Sequence, residues 1–203
     1  MAEESAIPDR QDLINAAIAS AVIGAAFTAF RGRFTFEALS FYVVVGLILV
    51  VLREGGQRTV AHWMDSYVDL EISREGALTT LLAAFFSVVS DFNILLLFPV
   101  FSEFSGESYE QWGKGVDAMW MKRQYWLSSA GIIGLWLGWG AAYLLSMGRI
   151  TEVVSLFTIF QLMPFDYKNI PTGPLDGATI LRWSGFAWLL MMGTSIIMLL
   201  LSI

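Results

Sequence analysis

Long apolar runs separated by short polar breaks dominate the chain. Leu13–Phe30 (LINAAIASAVIGAAFTAF) ends at the polar turn RGR. Phe36–Leu52 (FEALSFYVVVGLILVVL) then runs into REGGQRTVAHWMD with no proline to stop it. A third run begins near Gly76 (GALTTLLAAFFSVVS), a fourth covers Leu127–Met147, a fifth Glu152–Phe165 and a sixth Phe186–Ile203. A membrane-spanning helix needs roughly 20 mostly apolar residues. The pattern therefore predicts an all-α polytopic membrane protein with about six transmembrane helices. It forms a single transmembrane domain, residues 1–203, behind a polar N-terminal tail, residues 1–12, with no internal repeat and no soluble domain.

One stretch departs from this texture. Between Asp91 and Gly113 the chain is apolar but is interrupted by Asp91, Asn93 and Pro99. Asn93 to Phe104 is expected to be extended or re-entrant; the alternative is one long helix kinked at Pro99. Irregular backbone at membrane depth must be buried in protein or line a wet cavity. Gly115–Trp126 carries Trp120, Tyr125 and Trp126 beside Lys122 and Arg123, the composition of an interfacial anchor. Gly134 and Gly138 form a GxxxG pair that permits close helix packing.

Composition agrees with a lipid environment. Of 203 residues 56% are hydrophobic and 15% charged, against about 25% charged in soluble domains. Without cysteine, disulfides and thiolate metal sites are excluded, and His62 is the one histidine. The net charge is −6, with lysine at three positions and arginine at nine. That acidic, lysine-poor, cysteine-free balance fits a halophilic source with a salt-rich cytoplasm, and chance bias fits it nearly as well; it offers no basic patch to nucleic acid. The acidic N-terminus, MAEESAIPDRQDL, lacks the basic start of a cleavable signal. Basic residues are spread too evenly over the loops to set orientation.

Two segments carry a family resemblance. FQLMPFDYKNIPTGPLDGATILRW, with Pro164, Pro174, Leu175, Asp176 and Gly177, resembles the C-terminal core motif of site-2-protease-like intramembrane zinc metalloproteases, above all the small archaeal type. In those relatives the Leu-Asp-Gly aspartate binds zinc. Val51–Asp65 falls where they carry a His-Glu-x-x-His helix followed by an aliphatic-Ala pair, here Val60-Ala61. The resemblance covers about residues 36–203. It departs at the ligands: Arg53 and Gln57 stand where the histidines belong, and Glu54 alone remains. Asn-x-x-Pro reads Gln161-Leu-Met-Pro164, the Gly-Pro-x-x-Asn motif is reduced to AGIIGL (130–135), and an insert, DYKNIPTG, precedes Pro174.

His-Glu-x-x-His works because residues at i and i+4 share a helix face, so two imidazoles reach one ion while the glutamate deprotonates its water. Here His62 lies about 12 Å up the helix from Glu54, too far to share a metal with it. No zinc or other cofactor is expected, Asp176 and Glu54 being the ligands if any metal binds, and peptide hydrolysis is not expected. An aspartate at membrane depth needs a countercharge. Arg53 is expected to supply it to Asp176 as a structural ion pair, since a guanidinium binds a carboxylate bidentately. The resemblance thus implies a pseudoprotease in the cell membrane that binds transmembrane segments or serves as a subunit or regulator of a membrane complex. Its partners would be the bilayer and another membrane protein, and its groove would include Asn93, Pro99, Phe104, Pro164 and Pro174. Two other readings stay open: an active metalloprotease with non-standard ligands, and a transporter- or channel-like module built on Glu54, Asp91 and Asp176.

Overall fold

A computed structural model describes residues 8–32, 34–90, 92–106, 114–165 and 175–203. Helix α1, Arg10–Phe30, starts at a reciprocal cap in which Asp9 accepts from the Asp12 N–H and Asp12 accepts from the Asp9 N–H. Helix α2, Phe36–Trp63, is capped by Thr35 and runs through the whole REGGQRTVAH segment without a break. Asp65, in the left-handed region at φ 49°, turns the chain into strand β1, Ser66–Ile72. Ser73 caps α3, Arg74–Val89. Strand β2, Val100–Gly106, is followed by α4 (Lys114–Leu144), α5 (Gly148–Gln161), α6 (Asp176–Trp183) and α7 (Gly185–Ser202).

The fold is mostly helical, and among the described residues four helices are long and apolar enough to cross a membrane: α1, α2, residues 120–144 of α4, and α7. That is fewer than the six expected. α3 has 16 residues and α5 has 14, or about 24 and 21 Å of helix against a hydrocarbon core of about 30 Å. Ser90 ends α3 in extended backbone, and α5 stops at Gln161, ahead of Pro164. The apolarity of α5 serves the interior: Val153, Val154 and Phe157 are fully buried. α7 does the reverse, with Ser195 its one buried residue and apolar side chains on its outside.

The segment expected to be extended is irregular from residue 92 to 99 and then joins β2; no helix kinked at Pro99 is present. Two of its residues, Ile94 and Phe98, are held by side chains of α3. The Ser87 hydroxyl accepts from the Ile94 N–H and donates to the Ile94 carbonyl, both at 2.7 Å, and Thr80 Oγ1 accepts from the Phe98 N–H. β2 pairs antiparallel with β1, setting Ser102 opposite Leu70 and Glu103 opposite Asp69. This two-stranded sheet adds to the helical expectation. The alternation of YVDLEI, buried at Val68 and Leu70 and exposed at Asp69, is the period-2 signal for β1. The Leu70 N–H donates to Asp12 and its carbonyl accepts from Asn15, so α1 occupies the outer edge of β1 at Leu70, and β2 carries the sheet's other edge.

α2 lies at the centre, against α1 on one side and α4 on the other, and α4 also carries α5 and α6. The α2–α4 crossing is close because a Cβ at Gly134 would collide with the Leu52 carbonyl. The glycine pair thus packs internally. Gly134→Leu is expected to destabilise the protein by about 1–3 kcal/mol, read as a lowered unfolding temperature in detergent. Gly140→Ala, where a Cβ meets nothing within 4 Å, should leave it unchanged or raised.

Asp69 yields a pH-dependent prediction. Partial burial, then the nearby Asp12 carboxylate, holds its pKa above the usual aspartate range. Its ionised form is therefore disfavoured in the fold, and Asp69→Asn should stabilise the protein at neutral pH. The gain should vanish below the ordinary carboxylate range, where Asp69 is protonated both folded and unfolded. A gain in unfolding temperature that is constant with pH contradicts this.

Candidate functional site

The i, i+4 geometry of α2 puts Arg53 and Gln57 on one face, one turn apart. That face meets the first turn of α6, where Asp176 is the opening residue. The carboxylate gains there from the positive end of the helix dipole. Gly177 fixes the placement, because its Cα lies so close to the Leu162 carbonyl that no side chain fits. Leu162 also accepts from Trp188 Nε1 at 2.7 Å, tying α7 to the same point.

Arg53 is 1% exposed and Asp176 2%. Arg53 Nε donates to Asp176 Oδ2 at 2.7 Å and Nη2 to Oδ1 at 3.0 Å, a bidentate pair. Gln57 Nε2 donates to the same Oδ1 at 3.1 Å. The remaining guanidinium nitrogen, Nη1, donates to Glu54 Oε1 at 3.1 Å and to Ser102 Oγ at 2.7 Å. The Ser102 hydroxyl lies 2.8 Å from Glu54 Oε1 and 2.7 Å from Gln57 Oε1, and its single proton serves one of them at a time. Arg53, Glu54, Gln57, Ser102 and Asp176 thus make one buried polar cluster.

Glu54 continues the cluster outward. Its Oε2 is buried with no hydrogen-bond partner, and Arg58 Nε lies 3.7 Å from it. Arg58 Nη2 in turn donates to Asp12 Oδ2 at 2.7 Å. Charges alternate along this line from Asp176 to Asp12, giving three carboxylates and two guanidiniums.

The structure therefore brings together Arg53, Glu54, Gln57 and Asp176, which come from two helices more than a hundred residues apart. It does not bring in His62, which is exposed at the far end of α2. Of the expected groove residues, Pro99 is buried and its carbonyl accepts from the Ser73 N–H at 3.2 Å. Phe104 packs against the small core of Ala61, Val68 and Leu127. Neither lines an open groove, since backbone pairing and packing hold both in place. Asn93 and Pro164 are exposed; Pro174, Asp91 and the insert 166–173 lie outside the described residues, as does most of the polar tail. Sequence reasoning missed Ser102, Arg58 and Asp12. Arg58 stands four residues after Glu54, a spacing that pairs charges on a helix. Ser102 is the polar inward position of the alternating VFSEF.

The residues present do not fit zinc. A hydrolytic zinc site takes about three protein ligands and an open position. Here both Asp176 oxygens accept from cationic or amide donors, and the guanidinium stands between Asp176 and Glu54. Among the described residues no group of three His, Cys, Asp or Glu side chains is placed to hold a metal. No family model matches the chain, and no curated protein or solved structure is significantly similar to it.

Removing one partner of a buried ion pair strands the other, at about 3–5 kcal/mol. Arg53→Met and Asp176→Asn are each expected to fall in or near that range, and the double variant to lose clearly less than their sum. Strict additivity in an unfolding cycle in detergent would show that the pair contributes no coupling.

Proposed function

We propose that the chain is a catalytically silent, site-2-protease-like multi-pass membrane protein. It holds a transmembrane or membrane-associated segment of a partner, as a regulator or subunit of a membrane complex. One observation carries this reading. Arg53, Gln57 and Asp176, the three positions that the resemblance aligns with zinc ligands, converge on one buried point, where Arg53 neutralises Asp176 and Gln57 donates to it. Glu54, the position of the general base, accepts from Arg53 and Ser102 instead of facing an activated water.

The partner-holding surface in this reading is the sheet. Because α1 occupies the outer edge of β1 at Leu70, a guest strand would add along β2, the mode in which main-chain hydrogen bonds supply affinity. A transporter-like reading gains nothing here, since Glu54 and Asp176 are buried and joined through Arg53 rather than set along a path.

The reading is tested by metal content. Purified wild type is expected to carry no stoichiometric zinc. Arg53→His/Gln57→His, which rebuilds His-Glu-x-x-His opposite Asp176, is expected to take up near-stoichiometric zinc and to be thermally stabilised by it. Adding Asp176→Ala should abolish both effects. Zinc in the wild type that disappears with Asp176→Ala would sink the proposal in favour of an active metalloprotease. A double-histidine variant that stays metal-free would remove the argument from convergent ligand positions.

A further inference from the structure

At the end of the bundle away from the sheet, α1 stops at Phe30, α2 starts at Phe36 and α4 stops at Leu144. All three are apolar enough to cross a membrane, so their ends lie where lipid headgroups meet the protein. A cavity of about 530 Å³ opens there. It is lined by Arg31 just behind α1, by Thr35, Glu37, Phe41 and Tyr42 at the start of α2, and by Arg149 in the first turn of α5.

The lining holds donors that lack acceptors. Tyr42 is 7% exposed and its ring stacks on Phe27, yet its hydroxyl has no hydrogen-bond partner among the described residues. Arg149 has no carboxylate within ion-pair distance among the described residues, and it stands at the positive end of the α5 dipole, where a cation is disfavoured. Arg31 gives one nitrogen to Glu152 and keeps its other donors. An anion here would compensate Arg149 and the helix end together. Its charge is limited by two acids: Glu37 stands in the same wall, and Glu152 already neutralises Arg31. A singly charged phosphodiester therefore fits better than a doubly charged phosphomonoester, and Glu37 can accept from an ammonium or hydroxyl at the end of the headgroup.

An apolar path leads away from this cavity along α2. Glu37, Phe41, Val44 and Ile48 follow one another at helical spacing and share one face. Phe41, Val44 and Ile48 are 40, 57 and 48% exposed, a strip that runs from the cavity down the span. We propose that the cavity binds the headgroup of a membrane phospholipid. The phosphodiester accepts from Arg149, Arg31 and the Tyr42 hydroxyl, and a lipid chain lies along Phe41, Val44 and Ile48. None of these residues belongs to the Arg53–Asp176 cluster, so the site stands or falls apart from the zinc result.

The test is native mass spectrometry of the full chain, delipidated in a neutral detergent and titrated with phosphatidylethanolamine, phosphatidic acid, diacylglycerol or inorganic phosphate. Phosphatidylethanolamine is expected to form one tight adduct per chain, with the other three binding more weakly. Arg149→Gln and Tyr42→Phe should each weaken it about 10- to 100-fold, as expected for the loss of a hydrogen bond to a charged group. Tyr42→Phe keeps the ring on Phe27 and so removes the donor alone. Arg10→Gln, at the far end of α1, should leave the adduct unchanged. Diacylglycerol or inorganic phosphate bound as tightly as phosphatidylethanolamine, or phosphatidic acid bound more tightly, overturns the assignment. Wild-type affinity in Arg149→Gln and Tyr42→Phe does so too, as does an equal loss in Arg10→Gln.

Discussion

The structure depends on the compensation of Asp176. A carboxylate that is 2% exposed, in a fold with four helices apolar enough to cross a membrane, must find a countercharge or give up its ionisation. Arg53 meets that need with two donors, and Gln57 adds a third. The demand propagates through the fold. α6 must start where Asp176 can reach α2, so Gly177 must press on the Leu162 carbonyl, and α2 must present residues 53 and 57 toward α6. A buried ion pair contributes less net stability than its Coulomb energy suggests, because both groups lose their hydration. What the geometry here supplies is register: sliding α2 by one residue would replace Arg53 by Glu54 or Leu52 and strand the aspartate.

The second consequence concerns the two faces of α2. Arg53 and Gln57 look toward α6, whereas Glu54 and Arg58, each one residue further, look toward α1 and β1. The same two turns of helix therefore bind both halves of the molecule. On one side the link ends at Asp176. On the other it passes through Arg58 to Asp12, whose second oxygen accepts from Leu70 and so positions the sheet. Ser102 returns the link to the centre, because Leu70 and Ser102 are opposite each other in the ladder.

How far all this can be read in the sequence differs from element to element. The long apolar runs are legible because a spanning helix is set by length and apolarity alone, and α1, α2 and α7 follow them closely. The count of spans is less legible, since apolar content cannot distinguish α5, apolar because it is core, from α7, apolar because it faces outward. The run through Ser90 reads on past a cap that depends on local backbone. Arg53 and Asp176 are legible as a possible pair from two motifs, but their partner Ser102 is not. A serine in an extended segment has no signature until β1 fixes which side of β2 faces inward. Asp12 is illegible for a related reason, as its capping role at α1 hides its contacts with Arg58 and Leu70.

The identity of the residue at position 53 is the remaining step. Asp176, Glu54 and Ser102 offer oxygen acceptors in different directions around one buried centre. A group with several rigidly spread donors suits such a centre. Lysine would bring a compact charge that favours one or two of these acceptors and leaves the rest with a desolvation penalty. Arginine reaches Asp176 with Nε and Nη2 and still directs Nη1 at Glu54 and Ser102. Its one positive charge compensates one carboxylate in full. The second, Glu54, keeps Oε2 outside the hydrogen-bonded cluster, and Arg58 Nε stands 3.7 Å from it on the side of α1.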